Sequence, residues 1–277
     1  MSFSGRVKEE LSYQTGVAMH CRIAEIAAIL SLCGKVNIDE NGKVSVKIHT
    51  ENLAVSRKYF TLVKKTYNID CDIAIRSHIH TGKSRSYILD VKDDYAARKI
   101  LSSVKFMNGD GNFERDYTQV DSLILRKACC KRAFLRGAFL CAGSISEPEK
   151  TYHFEIVCTT PERAWQICDM MKTFDIEGKY ITRKKYHVVY IKEASQIVDI
   201  LNVMEAHVSL MELENIRILK EMRNSVNRKV NCETANINKT VSAAVKQVED
   251  ITYLRDMIGF ENMPDNLVEA AYARLNH

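Results

Sequence analysis

The 277-residue chain has little proline and no long apolar segment. Its 3 prolines, single tryptophan and 46% hydrophobic residues exclude long disordered tracts and provide for ordinary globular cores. No stretch approaches the roughly 18 consecutive apolar residues of a membrane span. Residues 1–11 carry charges where a secretory signal needs an apolar core. We therefore expect a cytoplasmic protein with no membrane partner.

The sequence also lacks common enzyme signatures. It contains no glycine-rich nucleotide loop, no HExxH and no GxSxG motif. The 9 cysteines form no CxxC pair, which favours reduced thiols in a reducing compartment. A zinc site built from Cys71, His78 and His80 would lack a fourth ligand at zinc-like spacing. No cofactor and no bound metal are therefore expected.

Two segments of the chain share one order of elements. Each opens with an apolar helix that contains small residues and ends at a glycine, reading IAAILSLCG at residues 26–34 and LRGAFLCAG at residues 135–143. A strand, a helix, a hairpin and a closing helix follow each motif. In the first segment the strand is 43–49, the helix 52–67, the hairpin 71–76 with 87–91, and the closing helix 93–104. In the second segment the strand is 152–158, the helix 161–174, the hairpin 179–183 with 187–191, and the closing helix 193–203. We predict a pseudo-twofold α+β domain over residues 1–208, with halves of about 1–105 and 125–208.

Both motif helices resemble the LAGLIDADG helix of homing endonucleases. Small residues such as Ala28 and Gly137 would let the two helix backbones approach along a pseudo-dyad. In the enzymes, the residue before the final glycine is an acid that holds a divalent metal. Here these residues are Cys33 and Ala142, and neither offers the oxygen ligand that Mg²⁺ prefers. We predict that the protein is not an enzyme. The acids that follow the helices are expected to be solvated loop residues: Asp39, Glu40, Glu147 and Glu149.

The composition changes after the repeat. Residues 210–222 form an amphipathic helical pattern, helical spacing holds from residue 235 to a stop at Gly259, and residues 264–275 predict a further helix. Residues 223–246 contain five basic residues and one acid, whereas the whole chain has a formal charge of +5. This concentration of positive charge favours a polyanionic partner. We predict a helical linker with a basic segment over residues 209–232, followed by the N-terminal part of a helical DNA-binding domain over residues 233–277.

The repeat, the segment KRAFLRGAFL at residues 131–140 and the segment NRKVNCETANINK at residues 227–239 together resemble the WhiA family. The resemblance covers essentially the whole chain. It implies a degenerate LAGLIDADG homing-endonuclease-like domain followed by an all-α helix-turn-helix domain. It also implies a non-catalytic, DNA-binding transcriptional regulator involved in cell division, chromosome segregation and sporulation in Gram-positive bacteria. The family continues past the position of His277, so we expect a truncated helix-turn-helix domain without the helix that normally reads the DNA groove.

Double-stranded DNA is the expected partner, which implies a nucleoid-associated location. Basic and amide side chains suit hydrogen bonds to phosphates and base edges. Within residues 223–246, which we call the basic segment, the candidate contacts are Arg223, Asn227, Arg228, Lys229, Asn236 and Lys239. In the two hairpins, at corresponding places of the halves, they are Arg76, Lys83, Arg85, Arg183, Lys184 and Lys185. The basic residues within residues 126–136 are a further candidate at the rim of the same surface.

Two other functions compete with a DNA-binding regulator. An active homing endonuclease or an RNA-splicing maturase requires acids at positions 33 and 142, which the sequence lacks. A protein-interaction module would use the former endonuclease surface to hold another transcription or cell-division protein. Its affinity would change little with salt, whereas DNA binding through phosphates falls steeply with salt.

Overall fold

The computed structural model describes residues 1–77, 85–108 and 119–276, and it contains the predicted repeat. The first half comprises α1 (Phe3–Tyr13), α2 (Met19–Cys33), β1 (Gly34–Ile38), β2 (Val44–Thr50), α3 (Leu53–Tyr67), β3 (Asp72–Ser77), β4 (Arg85–Val91) and α4 (Asp94–Ser103). The second half comprises α5 (Ala128–Ala142), β5 (Gly143–Ile145), β6 (Phe154–Cys158), α6 (Pro161–Lys172), β7 (Lys179–Arg183), β8 (Tyr186–Ile191) and α7 (Ala194–Met204). From α2 and from α5 onward the order of elements is the same, as predicted.

Each half forms a four-stranded antiparallel sheet, and the two sheets have the same strand order. The orders are β1-β2-β4-β3 and β5-β6-β8-β7. Helices cover one face of each sheet, where alternate side chains such as Val46, Ile48 and Phe154 have no exposed surface. The side chains that alternate with these lie on the opposite face, which we call the open face of each sheet.

Local sequence explains where several helices begin and end. The Asn52 side chain accepts a hydrogen bond from the Ala54 N–H at 2.8 Å and so satisfies a free donor at the start of α3. Pro161 occupies the first turn of α6, where its missing N–H costs nothing. The chain leaves α3 through Asn68 in the left-handed conformation, with a φ of 56°.

The motif helices α2 and α5 pack directly against each other. Gly137 permits this approach, because a Cβ atom there would lie 2.9 Å from the Glu25 carbonyl oxygen and 3.0 Å from the Ala28 Cβ. Ile26 and Leu135 are fully buried around the contact. The prediction that small residues bring the two helices together is confirmed.

Three elements of the first unit were not predicted from the sequence. The first is α1, which buries Phe3, Val7 and Leu11 completely. The others are β1 and β5, which start at the motif glycines Gly34 and Gly143 with no connecting loop and pair with β2 and β6. These strands have only 5 and 3 residues, too few for an alternating pattern to distinguish them.

The chain divides into two compact units, Met1–Arg217 and Ile218–His277. The last elements are α8 (His207–Ile258), a short 3₁₀ helix (Phe260–Asn262) and α9 (Asp265–Asn276). In the second unit, Gly259 ends α8 with a φ of 74°, so the predicted helix stop and the helix after it are confirmed. The Phe260 ring packs on Tyr272, with ring centroids 4.8 Å apart. Among the described residues, no helix is both long and apolar enough for a membrane span.

Candidate nucleic-acid interface

The C-terminal ends of the motif helices hold the positions of the endonuclease acids. Cys33 is the last residue of α2 and Ala142 is the last residue of α5. Lys8 of α1 interacts electrostatically with Cys33 and Cys141, and its Nζ lies 5.7 Å from the centroid of the Phe139 ring. This end of the helix pair therefore presents an amine and thiols where a Mg²⁺ site would need carboxylates.

The surroundings of Cys33 at this end lower the pKa of its thiol. A hydrogen bond from Cys141 lowers the pKa of the Cys33 thiol, and the positive charges of Lys8 and Arg163 lower it further. Burial acts in the opposite direction. Burial lowers the pKa of Lys8. Sequence reasoning missed Lys8, although the helical spacing of buried apolar residues in α1 could have indicated this helix.

A basic groove of about 610 Å³ lies on the open face of the first sheet. Its charged and polar lining consists of Lys35, Lys47, His49, Asp72, Arg76, Asp90 and Lys92. Each acid is paired with a lysine: the Lys47 Nζ lies 3.1 Å from Asp90, and the Lys92 Nζ lies 2.8 Å from Asp72. Lys35 and Arg76, the other two cations of the groove, form no ion pair with any described residue. The basic groove thus keeps a positive excess that suits an anion.

The sequence-based candidates omit all three lysines of the basic groove, Lys35, Lys47 and Lys92. Lys47 lies on β2 beside the buried Val46, and Lys35 of β1 is its partner across the ladder. The alternation that predicts β2 would have placed Lys47 on the open face, so this residue could have been found. Lys35 could not, because its short strand was not predicted.

The hairpin candidates do not all share one face. Arg76 of β3 and Arg183 of β7 occupy equivalent places in the two sheets and lie on the open faces, as expected for corresponding contacts. Arg85 precedes Ser86, which is the partner of Arg76 across the ladder. Because side chains alternate along a strand, Arg85 lies toward the helix-covered face with Tyr87. The structure therefore does not bring Arg85 together with Arg76. Lys83 lies outside the described residues, as do His78 and His80 of the zinc hypothesis.

The open face of the second sheet carries its charges at other positions than the first, with Lys179 at the register position that Asp72 has in the first sheet. Glu155 occupies the register position that Lys47 has in the first sheet. It accepts a hydrogen bond from Arg183 Nη1 at 3.5 Å, which offsets that cation. Lys184 and Lys185 form the exposed turn between β7 and β8, where Lys184 has a φ of 54°. Positive charge on this half is concentrated at the hairpin tip.

The basic segment is an exposed stretch of α8. At about 100° per residue, Arg228 and Lys239 point within about 20° of each other, and Lys246 shares their direction. We call these three residues the cationic face of α8; they span about 27 Å along the helix axis. The remaining candidates lie further around the helix: Asn227, Lys229 and Asn236 by about 80–100°, and Arg223 by about 140°.

Two interpretations of the sequence were wrong. Arg136, one of the basic residues within 126–136, is buried and donates a hydrogen bond to Glu25 at 2.9 Å, so it is not part of a basic rim. Glu147, expected to be a solvated loop acid, accepts a hydrogen bond from the Phe3 N–H at 2.6 Å. The Arg136 side chain holds α5 against α2, and the Glu147 side chain, although 39% exposed, ties its loop to the start of α1.

Comparisons with known proteins agree along the whole chain. Family models of the WhiA N-terminal LAGLIDADG-like domain, the WhiA LAGLIDADG-like domain and the WhiA C-terminal HTH domain match residues 19–107, 131–223 and 226–277. A probable cell division protein WhiA from Lachnoclostridium phytofermentans is 52% identical over 278 residues, which cover 100% of this chain and 88% of that protein. The corresponding protein from Alkaliphilus oremlandii is 43% identical over 279 residues, with 100% and 87% covered.

A solved structure supports the same fold. The crystal structure of full-length DUF199/WhiA from Thermatoga maritima matches with a TM-score of 0.67 and 22% identity, and the match covers 100% of this chain and 87% of that one. At this identity the likeness shows the fold alone, and it agrees with the predicted α+β, LAGLIDADG-like domain followed by a helical domain. Since the sequence relatives match over its full length, the chain belongs to the WhiA family.

Proposed function

We propose that this protein is a non-catalytic, DNA-binding transcriptional regulator. The observation that carries the proposal is the loss of both metal-binding acids from an intact LAGLIDADG-like helix pair, at Cys33 and Ala142. Lys8 adds a positive charge at the same end. Two-metal hydrolysis of a phosphodiester needs carboxylates that clamp both ions, and neither position supplies one.

DNA contact through the second unit rests on the cationic face of α8. Its three cations are exposed and share one direction, which suits contacts with separate phosphates along a duplex. Lys229, Asn227 and Asn236 flank this face and could reach neighbouring phosphates or bases. The family match of this region to a helix-turn-helix domain supports the assignment. We keep residues 209–232 as linker and 233–277 as DNA-binding domain, although α8 runs through both ranges without a break.

The first unit offers a second surface for DNA. The basic groove on the open face of the first sheet holds Lys35 and Arg76 free of described ion pairs. Arg183 occupies the equivalent place of Arg76 on the second sheet, and the hairpin tip adds Lys184 and Lys185. Arg85 remains a hairpin candidate, and Lys83 remains a candidate from the sequence alone. Arg223 is the weakest candidate in α8, because it points away from the cationic face.

The proposed biological role is regulation during cell division. The relatives, which are named probable cell division proteins WhiA, support this role. The family resemblance extends the proposal to chromosome segregation and sporulation in Gram-positive bacteria, and to a cytoplasmic, nucleoid-associated location. Another transcription or cell-division protein is a second candidate partner.

Genome-wide mapping of binding sites tests this role. Cells that express the tagged full-length protein are crosslinked, and DNA bound to it is sequenced. Enrichment at a defined set of promoters, with altered transcription of those genes on deletion, is the expected result. Uniform background across the chromosome, together with salt-insensitive capture of a protein by the first unit, would instead support the protein-interaction module.

A further inference from the structure

Four metal-binding side chains meet at the N-terminal ends of the motif helices. His20 and Cys21 belong to the first turn of α2, and Cys129 and Cys130 belong to the first turn of α5. One nitrogen or sulfur atom of each lies within 4.8 Å of the corresponding atoms of the other three. We call these residues the Cys₃His cluster. It lies at the opposite end of the helices from Cys33 and Ala142.

The pseudo-twofold repeat produces this arrangement. His20 and Cys21 are the second and third residues of α2, and Cys129 and Cys130 are the second and third residues of α5. Since α2 and α5 pack directly against each other, equivalent first turns come together. Each half supplies two adjacent ligands, so no CxxC spacing is needed. The sequence signal that could have found the cluster is this equivalence within the repeat.

The distances fit a tetrahedral zinc site. The His20 Nδ1 lies 3.2 Å from the Cys130 Sγ and 3.3 Å from the Cys21 Sγ. Zinc–sulfur bonds of about 2.3 Å and zinc–nitrogen bonds of about 2.0 Å place tetrahedral ligands roughly 3.5–3.8 Å apart. Small adjustments of side-chain torsions would therefore bring all four atoms to one ion. Three thiolates and an imidazole favour a soft or borderline ion over Mg²⁺ or Ca²⁺.

The surroundings suit such a centre electrostatically. Zn²⁺ with three thiolates carries one excess negative charge. The positive ends of two helix dipoles and the nearby Arg126 and Lys127, which line an adjoining groove of about 660 Å³, all favour that charge. Cys21 and Cys130 are buried, whereas His20 and Cys129 are exposed, so an ion can enter from solvent.

We propose that the Cys₃His cluster binds one Zn²⁺ ion, which joins the starts of α2 and α5 and so ties the two halves of the first unit together. All four positions are taken by protein side chains, which is typical of a structural rather than a catalytic zinc site. The ion would stabilise the folded chain because the unfolded chain does not hold these ligands together.

The test uses the reduced, chelator-treated full chain titrated with Co²⁺. Binding of one Co²⁺ per chain is expected, with a thiolate-to-cobalt charge-transfer band and the visible bands of a tetrahedral ion. Zn²⁺ should then displace Co²⁺ and abolish these bands. Zn²⁺ should also raise the melting temperature of the metal-free protein by about 5 °C or more at saturation.

Variants at exposed positions separate binding from folding. Cys129→Ser should weaken Co²⁺ binding by at least about 10-fold and remove most of the thermal shift, while circular dichroism stays unchanged. The matched control, Cys232→Ser on the exposed face of α8, should bind Co²⁺ as the unaltered chain does. Absence of a thiolate charge-transfer band, or equal binding by the two variants, would overturn the proposal. So would a disulfide within the cluster that persists under reducing conditions.

Discussion

Arg136 binds Glu25 through two hydrogen bonds that cross between the two halves of the first unit. Its Nε donates to Oε1 at 2.9 Å and its Nη2 donates to Oε2 at 3.2 Å, with both side chains buried. Lys58, which is also buried, places its Nζ 2.9 Å from the same carboxylate. One acid therefore holds two buried cations, one from α5 and one from α3.

Glu25→Gln should destabilise the first unit by about 3–5 kcal/mol, because it leaves the buried Lys58 without its ion-pair partner and leaves Arg136 with Glu205 alone. Burial already lowers the pKa of Lys58, and the Glu25 charge opposes that shift. Urea unfolding followed by circular dichroism measures the change in unfolding free energy. Glu149→Gln, at an exposed position, is the control and should change it by less than about 0.5 kcal/mol. Equal effects of the two substitutions would show that the buried ion pairs do not stabilise the fold.

Gly137→Leu should destabilise the same unit strongly, because even a Cβ atom there meets the Glu25 carbonyl oxygen. Overpacking of a close helix contact costs about 1–3 kcal/mol or more. Glu149→Leu is the matched control, since it adds the same side chain at an exposed position. Thermal melts monitored by circular dichroism compare the two variants. Small and equal shifts in melting temperature would contradict the helix contact.

The protein should not cleave DNA. Supercoiled plasmid incubated with the pure full chain and Mg²⁺ or Mn²⁺ should remain intact, because the helix ends carry Cys33 and Ala142 in place of acids. Restoring acids with the double substitution Cys33→Asp, Ala142→Asp provides a comparison for metal binding at this end. Nicking by the unaltered protein that is abolished by EDTA would refute the non-catalytic assignment.

Patterns local to the sequence predicted much of the fold. Alternation predicted β2 and β3, hairpin patterns predicted β4 and β8, and helical spacing of apolar residues predicted α3. The pairing of the motif helices followed from their small residues. Those features depend on near neighbours in the chain, whose periodicity is visible in the sequence.

Contacts between distant residues could not be read in this way. The Glu25–Arg136 pair and the position of Lys8 depend on how separate helices meet. The direction of Arg223, away from Arg228, becomes apparent only once the segment is known to be one helix. For the same reason the basic candidates divide between faces that the sequence alone does not distinguish.

The salt dependence of DNA binding decides whether the cationic face of α8 contacts DNA phosphates. Fluorescence anisotropy with a labelled duplex at several salt concentrations gives the slope of log K against log salt. Replacing Arg228 and Lys239 by Ala should weaken binding and flatten this slope by about 1.8, because each lost phosphate contact contributes about 0.9. Arg223→Ala removes a cation from the other side of the helix. It should change the slope by less than about 0.45, which is half the contribution of one phosphate contact. If the double variant keeps both the affinity and the slope of the unaltered protein, α8 does not bind DNA through this face and the account is wrong.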